Sequence, residues 1–346
     1  MKYKELGVSG IEVSVIGLGC WSFGGGAYWG PQSQRDVDNV VAAAIERGVN
    51  FFDTAEVYND GESERSLGLA LKGRRDKVVL ASKISTAHAG EVRKYLEQSL
   101  SRLGTDYLDL YILHWPINAA AIAHFAGGQK VEPPRVADVF HQFEALRKEG
   151  LIRSIGLSNF GVRQMAEVLA TGVRADSNQL PYNIVSRAIE TEITPYCVAH
   201  QIAVIGSVGL QQGLLTGKYA KPGDVPPPQA HSRHFAQKRG GKESRHFEEG
   251  AEQELFEAVD CVKAISAETE LSCAQISLAW ILQKPFMTST LAGCRNLAQL
   301  DANLSAADAS LSDGIMARID AASLPVWKKL GDSADYYENR AKSRIF

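Results

Sequence analysis

The chain has 346 residues and a formal net charge of −3, with 45% hydrophobic and 22% charged residues. These values are typical of a globular protein with a large core, and the lack of a basic excess argues against a nucleic-acid or membrane-surface role. Five widely spaced cysteines without a C-x-x-C pair disfavour a disulfide framework or a metal site, and no apolar run reaches the ~18 residues of a membrane helix. We therefore expect a cytoplasmic protein that acts on small molecules.

Short apolar runs alternate with amphipathic segments along the chain. The predicted strands span residues 14–20, 51–55, 77–83, 108–114, 153–159, 177–182, 202–209 and 288–294. The predicted helices span residues 34–47, 63–71, 91–103, 136–149, 161–171, 190–200, 250–268, 272–283, 296–304 and 311–322. Eight strand–helix units predict a parallel sheet that closes into a (β/α)8 TIM barrel, as a single domain over residues 1–346.

An open, Rossmann-like sheet is the alternative fold. It is disfavoured because Gly17-x-Gly19 lacks the third glycine of a dinucleotide-binding turn. Residues 115–135 and 218–249 are predicted to be long loops at the carboxyl-end face, and residues 324–346 a C-terminal tail. Long loops after strands commonly form lids or pocket walls, although a flexible insertion is the alternative for the polar tract within the second loop.

Polar residues end several predicted strands. In a barrel, the carboxyl ends of all strands meet at one face, where the active site lies. Asp53, Lys83 and His114 end successive strands, and Tyr58 follows in a loop. We expect Asp53 to pair with Lys83, and Lys83 to lower the pKa of Tyr58. His114 would then donate a hydrogen bond to a substrate oxygen.

Each of these four residues also has a purely structural interpretation. Asp53 could cap a helix, Lys83 could form only an ion pair, His114 could lie in the core, and Tyr58 could be an ordinary loop aromatic. Their arrangement on one face favours a proton-transfer site instead.

Several motifs resemble those of the aldo-keto reductase family. They are FFDTAEVYNDGESERSLGLAL (51–71), SLSRLGTDYLDLYILHWP (99–116), GLIRSIGLSNF (150–160) and GCRNLAQLDANL (293–304). The chain is most similar to the subgroup that includes bacterial reductases and the β subunits of voltage-gated potassium channels. The resemblance implies an NADP(H)-dependent oxidoreductase that acts on a carbonyl or alcohol, with Tyr58 as general acid/base.

The resemblance also implies a set of cofactor-binding residues. Arg295 matches a position suited to the 2′-phosphate, which favours NADP over NAD, and Arg233 matches a loop arginine that clasps the cofactor. The full set is Cys20, Trp21, Asp53, Ser158, Asn159, Gln179, Ser207, Leu210, Gly213, Thr216, Lys218, Arg233, Gly293, Arg295, Gln299 and Asn303. The expected substrate-binding residues are Trp21, Tyr28, Trp29, Tyr58, His114 and Trp115.

The chain departs from the subgroup after the seventh strand. It has Ser207-Val208-Gly209 where an aromatic residue, serine and proline are usual, so the ring that stacks on the nicotinamide is absent. Tyr336, Tyr337 and Arg344 in the tail could cover the site or a neighbouring subunit, and a homo-oligomer is possible.

The substrate remains open, because a sugar, a cyclic polyol and an aldehyde all fit. Two alternatives to a carbonyl reductase remain as well. One is an NADP-linked sugar or polyol dehydrogenase, and the other is a cofactor-sensing regulatory subunit with low turnover.

Overall fold

The computed structural model describes residues 1–346, and its centre is a closed barrel of eight parallel strands. An antiparallel hairpin of β1 (Tyr3–Glu5) and β2 (Glu12–Ser14) precedes the barrel. The barrel strands are β3 (Ile16–Gly19), β4 (Phe51–Asp53), β5 (Val79–Ile84), β6 (Leu108–Leu113), β7 (Ile152–Ser158), β8 (Ser177–Pro181), β9 (Ala203–Ser207) and β10 (Met287–Ala292). They pair in chain order, and β10 closes on β3 with Thr290 opposite Ile16. The predicted barrel is confirmed, and the open sheet is excluded.

Eleven α-helices accompany the strands. They are α1 (Gln34–Glu46), α2 (Glu62–Ala70), α3 (Val92–Leu103), α4 (Ala119–Phe125), α5 (Val136–Lys148), α6 (Val162–Ala170), α7 (Ile193–Ala199), α8 (Glu252–Glu268), α9 (Cys273–Leu282), α10 (Leu297–Leu304) and α11 (Asp313–Leu330). Local sequence sets several helix starts: the Ser33 side chain accepts from a backbone N–H of the first turn of α1, and Ser272 and Gln275 form a capping box on α9.

The hairpin closes the amino-terminal end of the barrel. Leu6 is fully buried and belongs to one apolar cluster with Phe51, Leu110 and Ile205 from inside the barrel. Gly7 has φ +63, and a Cβ there would lie 2.4 Å from the carbonyl oxygen of the residue before β8. The hairpin turn is therefore pressed against the strand starts, and the barrel opens at the carboxyl ends of its strands.

Two segments differ from the prediction. The 115–135 loop contains helix α4, whose start is capped by the Asn118 side chain. The last helix does not end near residue 322 but continues through Pro325 to Leu330. Proline normally interrupts a helix, but Val326 is fully buried, and this packing outweighs the lost hydrogen bond. The tail outside the helix therefore begins at Gly331 rather than at 324.

No helix has both the length and the apolar character required to span a bilayer. His, Cys, Asp and Glu side chains nowhere form a group of three that could hold a metal ion. All five cysteines are unpaired.

Candidate active site

Three polar side chains meet at the carboxyl ends of β4, β5 and β8. Lys83 Nζ lies 2.6 Å from Asp53 Oδ1, and Gln179 Nε2 donates to Asp53 Oδ2 at 2.9 Å. Asp53 is opposite Ala81 in the β4–β5 pairing, so Lys83, two residues further along, points to the same side of the sheet. Lys83 is fully buried and Asp53 is 2% exposed. We call Asp53, Lys83 and Gln179 the floor of the site.

The loop after β4 carries Tyr58 over the floor. Asn59 and Asp60 have φ values of 50° and 53°, in the left-handed region that non-glycine residues rarely adopt. The Asn59 side-chain amide donates to the Trp21 carbonyl at 3.0 Å, which fixes this turn to the loop after β3. Lys83 Nζ lies 3.3 Å from the Tyr58 hydroxyl. The predicted lysine–tyrosine pair is therefore present.

Glu56, which the sequence analysis did not select, ties this loop to the end of β5. Its carboxylate is buried and accepts from the Ser85 backbone N–H and from His88 Nδ1, both at 2.7 Å. Its own N–H donates to the Lys83 carbonyl at 3.2 Å. One residue therefore links the segment carrying Tyr58 to the segment carrying Lys83. The signal in the sequence that could have identified Glu56 is a second carboxylate shortly after Asp53.

The floor determines the protonation state of Tyr58. Burial raises the pKa of the Tyr58 hydroxyl above its ordinary value, and the Lys83 charge lowers it by a smaller amount. Burial alone would lower the pKa of Lys83, but Asp53 and Tyr58 together raise it. At neutral pH Lys83 is thus an ammonium and Tyr58 a protonated hydroxyl. The expected net lowering of the Tyr58 pKa is not found, because burial outweighs the lysine.

His114 faces Tyr58 as a neutral imidazole. Burial, with a contribution from the Lys83 charge, holds the His114 pKa well below its usual range. The two rings meet edge to face with their centroids 5.6 Å apart. His114 Nδ1 has no hydrogen-bond partner in the protein. A neutral imidazole carries one N–H, so His114 can donate one hydrogen bond to a substrate oxygen.

The residues matched to the nicotinamide end surround the floor. Asn159 has φ +62, and its side-chain amide donates to Ser158 Oγ at 3.0 Å and to the His114 carbonyl at 3.2 Å. Cys20 is buried and its backbone N–H donates to the Asp53 carbonyl at 2.8 Å. Burial raises the pKa of the Cys20 thiol well above its usual range, so this cysteine is not a reactive thiolate.

The loop after β9 has a strained backbone. Val208 and Gln212 have φ values of 56° and 53°, which is most unusual for the β-branched valine. Gly213 has φ +92, and a Cβ there would lie 2.8 Å from Lys218 Nζ. Thr216 Oγ1 donates to the Gly213 carbonyl at 2.8 Å. The loop therefore brings together three of the residues matched to the cofactor pyrophosphate; Leu210 and Ser207 lie at its start.

The residues matched to the adenosine end form a cluster after β10. Gln299 accepts from the Arg295 backbone N–H at 2.9 Å, and the Asn303 amide donates to the Gly293 carbonyl at 3.3 Å. The Arg295 guanidinium donates to the carbonyls of Trp29 and Pro31, each at 2.6 Å. It is thus held by the loop after β3, and its contact with a 2′-phosphate stays a prediction.

Arg233 has a structural role in this conformation. It is 4% exposed, and its guanidinium donates to Glu248 and to the carbonyls of Leu330 and Ser333. These partners belong to the 218–249 loop and to the carboxyl-terminal segment, and none belongs to a strand end. The structure therefore joins Arg233 to the carboxyl-terminal tail, and its role as a cofactor clasp stays a prediction.

Nine side chains form a closed circuit of contacts above the floor, which we call the mouth ring. Trp21 stacks on Tyr58 with centroids 5.7 Å apart, His231 stacks on Tyr337 at 4.9 Å, and Arg245 Nη1 lies 3.1 Å from a ring nitrogen of His124. In order of contact, the ring consists of Tyr58, Trp21, Tyr28, His231, Tyr337, Arg245, His124, Phe125 and His114.

The remaining two predicted pocket aromatics lie against the mouth ring. Trp29 packs edge-on against Trp21 and Tyr28, and Trp115 lies 6.1 Å from Phe125 between ring centroids. Sequence reasoning did not identify the ring members of the two long loops, which are His124, Phe125, His231 and Arg245. Only the length of those loops had indicated that they form walls.

Comparison with known proteins agrees with this geometry. A family model described as "Aldo/keto reductase family" matches residues 15–324. The chain is 33% identical over 320 residues to the aldo-keto reductase YhdN of Bacillus subtilis, covering 87% of each chain. It is 30% identical over 344 residues to the NADH-specific methylglyoxal reductase of Escherichia coli, covering 90% of this chain and 97% of that one.

Two further similarities concern the expected subgroup and the cofactor. A probable voltage-gated potassium channel subunit beta of Arabidopsis thaliana is 28% identical, covering 89% of this chain and 92% of that one, which confirms the expected subgroup. The crystal structure of an aldo/keto reductase from Klebsiella pneumoniae in complex with NADP and acetate superposes with a TM-score of 0.68. It is 28% identical, and the match covers 90% of this chain and 91% of that one.

Proposed function

Because the chain belongs to the aldo/keto reductase family of oxidoreductases, we propose that it is an NADP(H)-dependent reductase of an aldehyde, ketone or sugar carbonyl. The observation that carries the proposal is the contact of Lys83 Nζ with both Asp53 and the Tyr58 hydroxyl, at 2.6 and 3.3 Å. It supplies a protonated acid, a cation behind it and a buried counter-ion for that cation. Such a set suits the protonation of an oxygen that becomes an alkoxide.

The residues at the rim fit a dinucleotide cofactor. Lys218 Nζ lies where a side chain at Gly213 would be, so an ammonium and a glycine backbone lie side by side, an arrangement that suits a diphosphate. The buried side-chain nitrogens of Gln211 and Gln212 have no hydrogen-bond partner in the protein, so two further donors are available in the same loop. Ser158, Asn159 and Gln179 would hold the nicotinamide end, and Arg295 the adenosine end. NADPH, when bound, would supply the hydride.

In this mechanism the chain's own residues handle the proton. Tyr58 donates its hydroxyl proton to the substrate oxygen as negative charge develops there. Lys83 then stabilises the phenolate that remains, and Asp53 keeps the ammonium charged. The neutral His114 donates its N–H to the same substrate oxygen and fixes the orientation of the carbonyl. The aromatic mouth ring excludes water from the reacting atoms.

Burial keeps the Tyr58 hydroxyl protonated at neutral pH, as the acid of the reductive direction must be. The same four residues would act in reverse during oxidation, so an NADP-linked sugar or polyol dehydrogenase remains the alternative. The presence of all four proton-transfer residues favours an enzyme over a low-turnover regulatory subunit. We also infer a single domain, a small-molecule substrate and a cytoplasmic location, the last because all five cysteines are unpaired.

The test is direct. The purified protein is mixed with NADPH or NADH and with 4-nitrobenzaldehyde or methylglyoxal, and the nicotinamide absorbance is followed. We expect oxidation of NADPH by the wild type, and a loss of about 10³-fold or more in kcat for Tyr58→Phe. Fluorescence titration should show equal NADPH binding by both proteins. Absence of turnover with every substrate, or full activity of Tyr58→Phe, would contradict the proposal.

A further inference from the structure

The carboxyl-terminal segment, residues 331–346, places the buried side chain of Arg344 beside the mouth ring. Arg344 is 1% exposed and forms a two-pronged ion pair with Asp335, with Nε and Nη2 at 2.8 and 2.7 Å from the carboxylate oxygens. The Arg344 carbonyl accepts from the side-chain amides of Asn118 and Gln164, at 3.0 and 2.9 Å. Backbone and side chain are therefore both held in place.

The third guanidinium nitrogen of Arg344 is unused. Nη1 is buried and has no hydrogen-bond partner in the protein. A buried donor without a partner is costly, and a charged donor more so. Every other polar group of this ion pair is satisfied, because Asp335 also accepts from the backbone N–H groups of Arg344 and Tyr337. An otherwise complete arrangement thus retains one donor for another molecule.

The position of Arg344 relates this donor to the substrate. Its guanidinium carbon lies over the Trp115 ring, 3.7 Å from the centroid, and Trp115 directly follows His114 in the chain. Trp115 also packs against Phe125 of the mouth ring. Tyr337, which shares the segment with Arg344, is itself a ring member. Arg344 therefore lies beside the part of the mouth ring that Phe125 and Tyr337 form, and we call these residues and their neighbours Arg245, His124 and His231 the wall.

The charged side chains of this wall form ion pairs, so their net charge is zero. Arg344 is paired with Asp335, and Arg245 is paired with Glu338 at 2.7 Å. The imidazoles of the wall are neutral near pH 7, since burial and then the Arg245 charge lower the pKa of His124 to about 4, and burial lowers the pKa of His231. A carboxylate entering this aromatic wall would lose its hydration without gaining a net positive partner. Burial of a neutral oxygen does not carry the desolvation penalty of a charge.

We propose that Arg344 is a specificity-determining residue whose Nη1 donates a hydrogen bond to a neutral oxygen, such as a hydroxyl, on the part of the substrate remote from its carbonyl. The preferred substrate class is then a hydroxylated aldehyde or ketone, and neither a plain hydrocarbon aldehyde nor an anionic oxo acid. This inference rests on the proposed reductase function and adds a substrate class to it.

Three aldehydes of one framework test the inference: benzaldehyde, 4-(hydroxymethyl)benzaldehyde and 4-carboxybenzaldehyde. For the wild type we expect kcat/KM to be about tenfold higher with the hydroxymethyl compound than with benzaldehyde, the effect of one hydrogen bond from a charged donor. The carboxylate compound should be the poorest of the three. In Arg344→Met the hydroxymethyl preference should fall to about one, with most of the change in KM, and Arg344→Lys should restore part of it.

Asp335→Asn tests the charge argument, because it leaves Arg344 without its counter-ion. The preference should then shift toward 4-carboxybenzaldehyde, by about tenfold relative to the wild type. Asp335→Asn/Arg344→Met, which removes both charges, replaces the single variant if Arg344→Met does not fold. Arg187→Met is the matched control, since Arg187 also forms a bidentate pair with a glutamate and has no contact with the mouth ring.

The outcomes separate three cases. A ratio near one in the wild type, or an equal loss for all three aldehydes in Arg344→Met, would mean that Arg344 is structural only and would overturn the inference. A lost preference in Arg187→Met would overturn it as well. If the wild type oxidises NADPH with none of the three aldehydes, the proposed function itself has failed.

Discussion

The floor and the mouth ring lie against each other but are built by different means. The floor consists of side chains on the strands β4, β5 and β8, which are buried and hydrogen-bonded to one another. The mouth ring consists of side chains from loops and the carboxyl-terminal segment, joined mainly by aromatic contacts, with unpartnered polar atoms beside it. A rigid sheet fixes Lys83 and its counter-ion, while segments that can vary in length and sequence surround the substrate. Tyr58 and His114 act on the proton and are also members of the mouth ring. Reaction and selectivity should therefore be separable by mutation of the floor and of the seven other ring members.

We expect the largest effect on the floor from Lys83→Met. It removes the cation behind Tyr58, and we expect kcat/KM to fall by about 10³-fold or more. It also leaves Asp53 buried without its partner, so the free energy of unfolding should fall by about 3–5 kcal/mol. Steady-state kinetics and urea unfolding measure the two effects.

Lys284→Met provides the matched control, because Lys284 also pairs with an aspartate, at 3.1 Å, but lies outside the site. It should cost some stability and leave kcat/KM unchanged. If Lys83→Met retains wild-type turnover, the floor is not the proton-transfer machinery.

Glu56→Gln should have an intermediate effect. The amide keeps the size of the side chain but replaces a charged acceptor of the Ser85 N–H by a neutral one, which loosens the loop carrying Tyr58. We expect kcat to fall about tenfold with little change in KM, because the acid Tyr58 is misplaced while the other members of the mouth ring keep their contacts. Kinetics across pH measures this, and Glu56→Asp should recover part of the loss. A change confined to KM would place Glu56 with the ring instead.

The smallest expected effect is a loss of stability at acidic pH that depends on His124 of the mouth ring. Because the folded-state pKa of His124 is lowered to about 4 from about 6.5, its contribution to stability is present above pH 6.5 and is lost as pH falls toward 4. Protonation would place a third positive charge beside Arg245 and Arg344. Urea unfolding at pH 7 and pH 5 should show a smaller loss for His124→Gln than for the wild type. Equal losses would contradict this assignment.

The floor could be predicted from sequence because it depends on local rules. Apolar runs locate the strands, and the residue that ends a parallel strand must lie at the active face, so Asp53, Lys83 and His114 could be chosen without coordinates. Helix α4 was missed although its signals are present, since Asn118 is a good cap and three alanines follow it.

The mouth ring could not be predicted in the same way. Arg245 and His124 are 121 residues apart, and no pattern in either segment encodes their contact. The same limit applies to the two arginines that the family resemblance matches to the cofactor site. A motif match places Arg295 and Arg233 by chain position, but it cannot show that backbone carbonyls and Glu248 already occupy their guanidinium groups.

The hairpin that closes the barrel has a consequence for how cofactor and substrate enter and leave the site. Because Leu6 closes the amino-terminal end of the barrel, the interior is open only at the carboxyl ends of the strands. Cofactor, substrate, product and solvent protons must all pass the same side chains to reach Lys83, and the molecule that enters first restricts the space for the next. We expect cofactor binding to require the loosening of Tyr28 from Gln212 and Pro228, because Gln212 belongs to the loop that carries the residues matched to the cofactor pyrophosphate.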